Sequence, residues 1–274
     1  LETVMAYPKI ELDGAVVAVT GGARGIGKAT SDLFAAKGAT VCAGDLDGGD
    51  YVLDVTSRES FAEFTAAVMH RFGRIDVLVN NAGVMPLGDF LAEDDATSGT
   101  TLDVNVWGLI HGMRLVIPHM IERGSGHVVN VASMAGKLVV PGMAVYNASK
   151  FAAVGLSAAV REEYRDSGVS VTAVLPSAVR TRLASGVPLG HGMPTVDPED
   201  VARAIVGSVG SRRAEIAVPR YLAGWDLLKA AVPEPLMRLG RKLIGDRRAL
   251  TSVEHGVRDA YEQTIRAQAR EGRR

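Results

Sequence analysis

The segment AVYNASKF, residues 144–151, sets a phenol and an ammonium four positions apart, at Tyr146 and Lys150. On a helix, positions i and i+4 share a face, with their Cβ atoms about 5–6 Å apart. A cation at that range favours tyrosinate over tyrosine and draws the phenol pKa down from its ordinary value of about 10. A drop of about three units, on the order of 4 kcal/mol, would make Tyr146 a general acid or base near neutral pH. Taken alone, the pair also fits a half-buried tyrosine beside a solvated lysine. Other residues must decide between the two.

Ser133 is the next candidate. It follows the apolar run HVVNVAS (127–133), and open α/β sheets bind ligands just beyond the carboxyl ends of their strands. A hydroxyl there can hold a substrate carbonyl or alcohol oxygen while Tyr146 exchanges the proton. By itself it is equally a turn or helix-cap serine. Asn105 stands in the apolar helical run LDVNVWG (102–108), where a buried polar side chain needs a partner. A Ser133–Lys150 hydrolase would need a G-x-S-x-G elbow, and none surrounds Ser133.

A glycine-rich stretch, TGGARGIGKAT (20–30), follows the apolar run AVVAVTG. Gly22 to Lys28 meets the GxxxxGK part of a phosphate-binding loop, but Ala29 stands where Ser or Thr would hold magnesium. The better reading is a dinucleotide site. Gly21, Gly25 and Gly27 allow a tight turn, close backbone approach to a pyrophosphate and tight helix–strand packing. The helix N-terminus supplies free N–H groups for the phosphates. Asp45 ends the next apolar run, TVCAGD, 18 residues after Gly27. A carboxylate there accepts the ribose hydroxyls and repels a 2′-phosphate, which selects NAD over NADP. Arg24 is a competing guanidinium for that phosphate, but Asp45 would lie directly beside the 2′ oxygen.

These residues need a scaffold. Apolar runs at 15–21, 40–45, 75–83, 127–133, 169–176 and 215–219 alternate with segments of helical period such as SFAEFTAAVMHRFG. Buried strands separated by helices predict an α/β fold, a doubly wound parallel sheet of about seven strands with helices on both faces. One domain is expected over residues 1–219, with a C-terminal helical extension over 220–274 packing on it or on a partner subunit. One stretch resists. YVLDV reads as a strand only five or six residues after TVCAGD, whereas parallel neighbours need a crossover of about a dozen residues. Either YVLDV is not a parallel neighbour, or residues are absent between about Asp47 and Asp50.

With these motifs in this order, the chain resembles the short-chain dehydrogenase/reductase family from about residue 14 to 219. TGGARGIG is similar to the family's cofactor turn, which adds Ile26 to the glycines and Arg24. LDVT (53–56) is similar to the adenine-contacting segment and implies Asp54 and Val55. NNAG (80–83) implies Asn81, Ala82 and Gly83 on the adenosine side. Asn105, Ser133 and the Tyr146–Lys150 pair match the family's catalytic tetrad. The resemblance also implies that Lys150 bonds the nicotinamide ribose. It further implies a distorted helix at Asn105, with a water linking it to Lys150. PSAVRT (176–181) is similar to P-G-x-V-x-T, implying Pro176, Val179 and Thr181 at the nicotinamide, with Ser177 where glycine is usual. The expected chemistry is hydride transfer between NAD and a secondary alcohol or ketone. An NADPH-dependent ketoreductase and a non-catalytic NAD sensor or scaffold are the rivals.

Composition bounds the partners. A formal charge of −1 gives no general electrostatic reason to bind nucleic acid. A single cysteine, Cys42, excludes an intrachain disulfide and fits a reducing compartment. The opening LETVMAYPKIELDG has no signal-peptide pattern, so a cytoplasmic enzyme is expected. The six histidines show no metal-ligand spacing. Met134, Leu138 and Met143 suggest an apolar pocket for a hydrophobic alcohol or ketone, with residues 182–196 as a mobile lid. The small apolar face of FAAVGLSAAVREEYR predicts a homodimer or homotetramer. The extension LAGWDLLKAAVPEPLMRLGRKLIG mixes Trp and Leu with Lys and Arg. Packing on the domain or a partner is the first expectation for it, and contact with a membrane surface the second.

Overall fold

The structure is a computed structural model that describes residues 7–186, 194–226, 231–233, 256, 258–263 and 265. The elements run β1 (Val16–Thr20), α1 (Gly25–Ala35), β2 (Thr40–Asp45), β3 (Tyr51–Val52), α2 (Arg58–Phe72), β4 (Val77–Asn80) and α3 (Asp95–Leu102). They continue α4 (Gly108–Glu122), β5 (Gly126–Val131), α5 (Ala144–Glu163), β6 (Val169–Pro176), β7 (Ala178–Val179), β8 (Thr195–Val196), α6 (Pro198–Ser211) and β9 (Glu215–Val218). Seven strands form one parallel sheet in the order β3-β2-β1-β4-β5-β6-β9, and β7 pairs with β8 in a separate parallel ribbon.

The sheet is covered on both faces, which is why its central strands are apolar throughout instead of alternating. Residues i and i+2 of a strand share a face. Val16, Ala18, Leu78, Val128 and Val171 meet Phe61 and Phe64 of α2, Met113 and Met120 of α4 and Ala153 of α5. Val17, Val19, Val77, Val79 and Val129 meet Phe34 of α1 and Ile205 and Val209 of α6. The chain moves outward from β1 to β3, then returns to place β4 on the other side of β1. The connections after β1 and β4 therefore lead to helices on opposite faces, α1 and α4, and doubly wound sheets hold ligands at the carboxyl edge beside such a reversal.

The expectation for YVLDV needs correction. It is a parallel neighbour of β2, with Gly44 opposite Tyr51 and Asp45 opposite Val52, and the five residues 46–50 suffice to connect them. The strand is only two residues long, so the connection never crosses a sheet face and needs no helix. The chain turns at Gly48, whose φ of +84° is left-handed, and passes against the β2 edge. A Cβ on Gly49 would lie 2.7 Å from the Ala43 carbonyl oxygen. The Asp50 carboxylate then accepts the Ala43 N–H at 3.1 Å, satisfying the edge. Val52 is left 82% exposed.

Among the described residues, no helix is long and apolar enough to cross a membrane. Most of residues 227–257, the stretch carrying the expected membrane-surface motif, lies outside the described residues, as do His191 and His255.

Candidate active site

The glycine-rich turn leaves the carboxyl end of β1 and enters α1. Gly21 and Gly25 have φ of +63° and +52°, a backbone region that side chains with a Cβ rarely adopt. Gly27 is required by space: a Cβ there would stand 2.0 Å from the Gly21 carbonyl oxygen. Ile26 packs partly buried beneath the turn. The NNAG turn after β4 buttresses this one. The Thr20 hydroxyl accepts the N–H groups of Asn81 and Ala82 at 3.0 Å, and Asn81 Nδ2 donates to the carbonyls of Thr20 and Gly21. The Asn81 amide, expected against adenosine, thus holds the two turns together.

At the end of β2, Asp45 Oδ2 accepts the Ala23 N–H at 3.1 Å. Arg24 lies alongside, 3.6 Å from Asp45 Oδ1, and donates to the Asp47 carbonyl at 3.0 Å. The guanidinium and the carboxylate expected to compete for the ribose end of a dinucleotide are therefore in contact. Two carboxylates, Asp45 and Asp47, face one guanidinium. Asp54 is partly buried in a local turn, its Oδ1 accepting from the backbone and hydroxyl of Thr56. Val55 is buried in the core against α4.

Tyr146 and Lys150 lie on the first turns of α5, and each is 6% exposed. Burial of both removes the alternative of a solvated lysine. Lys150 Nζ donates to the Val131 carbonyl at 3.0 Å and lies 5.8 Å from the centroid of the Tyr146 ring. Burial pushes the lysine down to about 8. Burial likewise pushes the Tyr146 phenol up to about 12, against a lowering hydrogen bond from Ser133. The tyrosine thus keeps its proton well above neutral pH, unlike the near-neutral group that its spacing from Lys150 predicts. Desolvation of the buried phenol outweighs the lowering hydrogen bond from Ser133.

Ser133 has extended backbone beyond β5, where its hydroxyl accepts the Ala135 N–H at 3.1 Å and lies 3.5 Å from the Pro176 carbonyl. Asn105 sits in a π-helical turn, Asp103–Trp107, between α3 and α4, the distortion expected of this segment. Its Oδ1 accepts the Val84 N–H, while Nδ2 donates to the Val84 carbonyl and to Ser149 Oγ. Asn105 and Lys150 flank Gly83: a Cβ there would lie 3.2 Å from Asn105 Oδ1 and 3.7 Å from Lys150 Nζ.

The segment after β6 closes the far side. A Cβ on Gly25 would lie 3.4 Å from Thr181 Cγ2, so the glycine-rich turn faces Thr181. Val179 is buried in β7. Ser177 fits without strain; its N–H donates to the Val218 carbonyl and its hydroxyl to the Pro194 carbonyl.

Several residues of the site carry no motif by themselves. Asn147 fastens the Ser133 loop to α5 by donating to the carbonyls of Ala135 and Leu138. Ser149 links Asn105 to the Tyr146 carbonyl. Both lie inside YNASK, so their position between the two reactive groups was the available signal. Met85 and Ala135 pack buried against Tyr146, with Leu87, Met143, Leu183 and Ala184 around them. Arg258 and Tyr261 reach the same region and have no local signal at all. Of residues 182–196, the stretch 187–193 lies outside the described residues.

Residues 15–189 match the short chain dehydrogenase family. The chain belongs to that family. Its members are oxidoreductases that use a nicotinamide cofactor and act on small molecules. Among the relatives, 3-oxoacyl-(acyl-carrier-protein) reductase FabG of Thermotoga maritima is 34% identical, over 72% of this chain and 91% of that protein. Estradiol 17-beta-dehydrogenase 11 of Mus musculus is 29% identical, over 84% of each. A solved short chain dehydrogenase/reductase from Burkholderia phymatum, in complex with NAD, superposes with a TM-score of 0.71 at 26% identity. That match covers 80% of this chain and 93% of the other. The doubly wound parallel sheet expected from the sequence is the family's fold.

Proposed function

We propose that this short-chain dehydrogenase transfers a hydride between NAD(H) and a hydrophobic secondary alcohol or its ketone, with Tyr146 as the general acid/base. The observation that carries the reading is the setting of Tyr146: a buried phenol with Ser133 on one side, Lys150 on the other and an apolar surround. In ketone reduction, Ser133 orients the carbonyl oxygen and Tyr146 donates its proton there; in alcohol oxidation, tyrosinate removes the hydroxyl proton. NAD supplies the hydride acceptor at the reacting carbon, and NADH the donor. Lys150 stabilises the tyrosinate, and Asn105 holds the loop after β4 in register with α5. The high phenol pKa keeps the proton on Tyr146 near neutral pH, so it is present for donation to the carbonyl oxygen.

Gly21, Gly25, Gly27 and the N-terminus of α1 are assigned to the pyrophosphate, and Asp45 to the adenosine ribose. Asn81, Ala82, Gly83, Asp54 and Val55 border the adenosine side. Pro176, Val179 and Thr181 border the nicotinamide. The two-to-one excess of carboxylate at the ribose end supports NAD over NADP. Arg24 supports a second reading, an NADPH-dependent ketoreductase, since it is half exposed and next to Asp45. The apolar surround supports a hydrophobic substrate. A homodimer or homotetramer is the expected assembly; Phe151, 39% exposed, leaves apolar surface on α5, the helix expected to pair.

The test follows reduced-nicotinamide absorbance with a panel of apolar secondary alcohols and ketones, comparing both cofactors. Turnover preferring NAD supports the reading. Preference for NADP moves it to the ketoreductase. Failure to bind either cofactor overturns it.

A further inference from the structure

The C-terminal helical residues reach the active site from more than a hundred positions beyond Tyr146. Arg258 is 1% exposed. Its guanidinium donates to the carbonyl oxygens of Met85, Leu183 and Ser185 and pairs with Glu262. Met85 belongs to the loop after β4, whereas Leu183 and Ser185 belong to the turn after Thr181. One planar cation therefore holds together two segments that the chain keeps about a hundred residues apart. Tyr261 completes the contact: its ring centroid is 4.6 Å from the guanidinium carbon, and its hydroxyl accepts the Met85 N–H at 3.1 Å. Tyr261 is also an electrostatic neighbour of the Tyr146 phenol.

We infer that Arg258 is a positioning residue for the substrate site: with Tyr261 it clamps residues 182–186 onto the loop after β4. The helical residues 258–263 then form the outer wall of the apolar surround of Tyr146. A buried guanidinium is costly unless its N–H groups are paired, and here its partners are three carbonyls and a carboxylate. That set of partners makes it a clamp and leaves it unsuited to an anionic substrate group. The fixed directions of the fork suit a three-way junction in a way a lysine cannot match. The clamped segment carries Leu183 and Ala184, which pack in the cluster containing Met85, Ala135 and Tyr146. Loosening the clamp withdraws part of the wall that an apolar substrate would touch. The effect on substrate rests on the dehydrogenase reading above; the clamp itself does not.

The experiment uses the full chain with Arg258→Met, Arg258→Lys and Tyr261→Phe. Arg182 is exposed at the start of the clamped turn, so trypsin cleavage after it reports local release of the segment. In Arg258→Met the cleavage rate should rise about tenfold, and Arg258→Lys should not restore it. With an alcohol or ketone that turns over, KM should rise about tenfold while kcat falls less than threefold, the pattern of lost substrate binding. Wild-type cleavage and an unchanged KM in Arg258→Met would overturn the inference. Should that variant not fold, Tyr261→Phe removes a single hydroxyl and should raise cleavage about threefold; a wild-type rate there also overturns it. Failure of the wild-type protein to bind NADH would defeat the dehydrogenase reading and leave the proteolysis outcome to decide the clamp.

Discussion

Lys150 Nζ lies 5.8 Å from the centroid of the Tyr146 ring, and it donates to the Val131 carbonyl. Burial drives the two groups apart on the pH scale, the lysine down to about 8 and the phenol up to about 12, so that the neutral form of each is favoured. A site poised in this way needs added positive charge to bring the tyrosine into range.

Tyr146 should therefore titrate late in the free protein. Ultraviolet difference titration of wild type against Tyr146→Phe should show no loss of its proton below about pH 10, the ordinary tyrosine value. Saturating NAD⁺ should lower that midpoint, because a cationic ring nearby favours tyrosinate. A midpoint near neutrality without cofactor would contradict the desolvated setting described for this phenol.

Asp45 should set the cofactor preference. Asp45→Ser removes the carboxylate proposed to bind the ribose and frees Arg24 from its contact at 3.6 Å. The NADP to NAD ratio of kcat/KM should rise at least about tenfold, on the order of 1.4 kcal/mol. Arg24→Ala in that background should reverse the gain. An unchanged ratio would remove Asp45 from the recognition of the ribose.

His127 should make the fold acid-sensitive. Its ring is buried between two hydroxyls, with Nδ1 and Nε2 each 2.8 Å from Ser170 and Ser208. The Ser208 hydroxyl donates to the Ile205 carbonyl, so Nε2 carries the ring proton and Nδ1 accepts from Ser170. Burial first, then the nearby Arg212, holds the histidine well below its usual value. The unfolded chain takes up a proton below about pH 6.5 while the native ring stays neutral, so stability falls as pH falls. The slope approaches about 1.4 kcal/mol per pH unit for this one group. Urea unfolding at several pH values should show a shallower acid decline in His127→Gln than in wild type; equal slopes would contradict the assignment.

The reactive residues and their order were legible because each local motif reports a local constraint. Gly27 is forced by the Gly21 carbonyl, and YNASK packs four tasks into one helical turn and a half. The central strands were legible because burial on both faces leaves runs such as VVAVT and VSVTAVLP without polar interruption. The β3 strand was not. Two residues give no periodicity, and the crossover rule fails where the connection hugs an edge and never crosses a face. The pKa of Tyr146 was not legible either, since spacing shows the lysine and hides the burial. Arg258 was invisible for a third reason: its meaning lies in carbonyls that only the folded chain brings together.

The measurement closest to the central claim is the turnover of Tyr146→Phe with a substrate active in the wild type. The substitution removes one hydroxyl and leaves the Ser133 contacts to Ala135 and Pro176 available. The account predicts a fall in kcat of about 10²–10⁴-fold, the usual worth of a general acid/base, with NADH binding unchanged. Turnover within about threefold of wild type would mean that another group moves the proton.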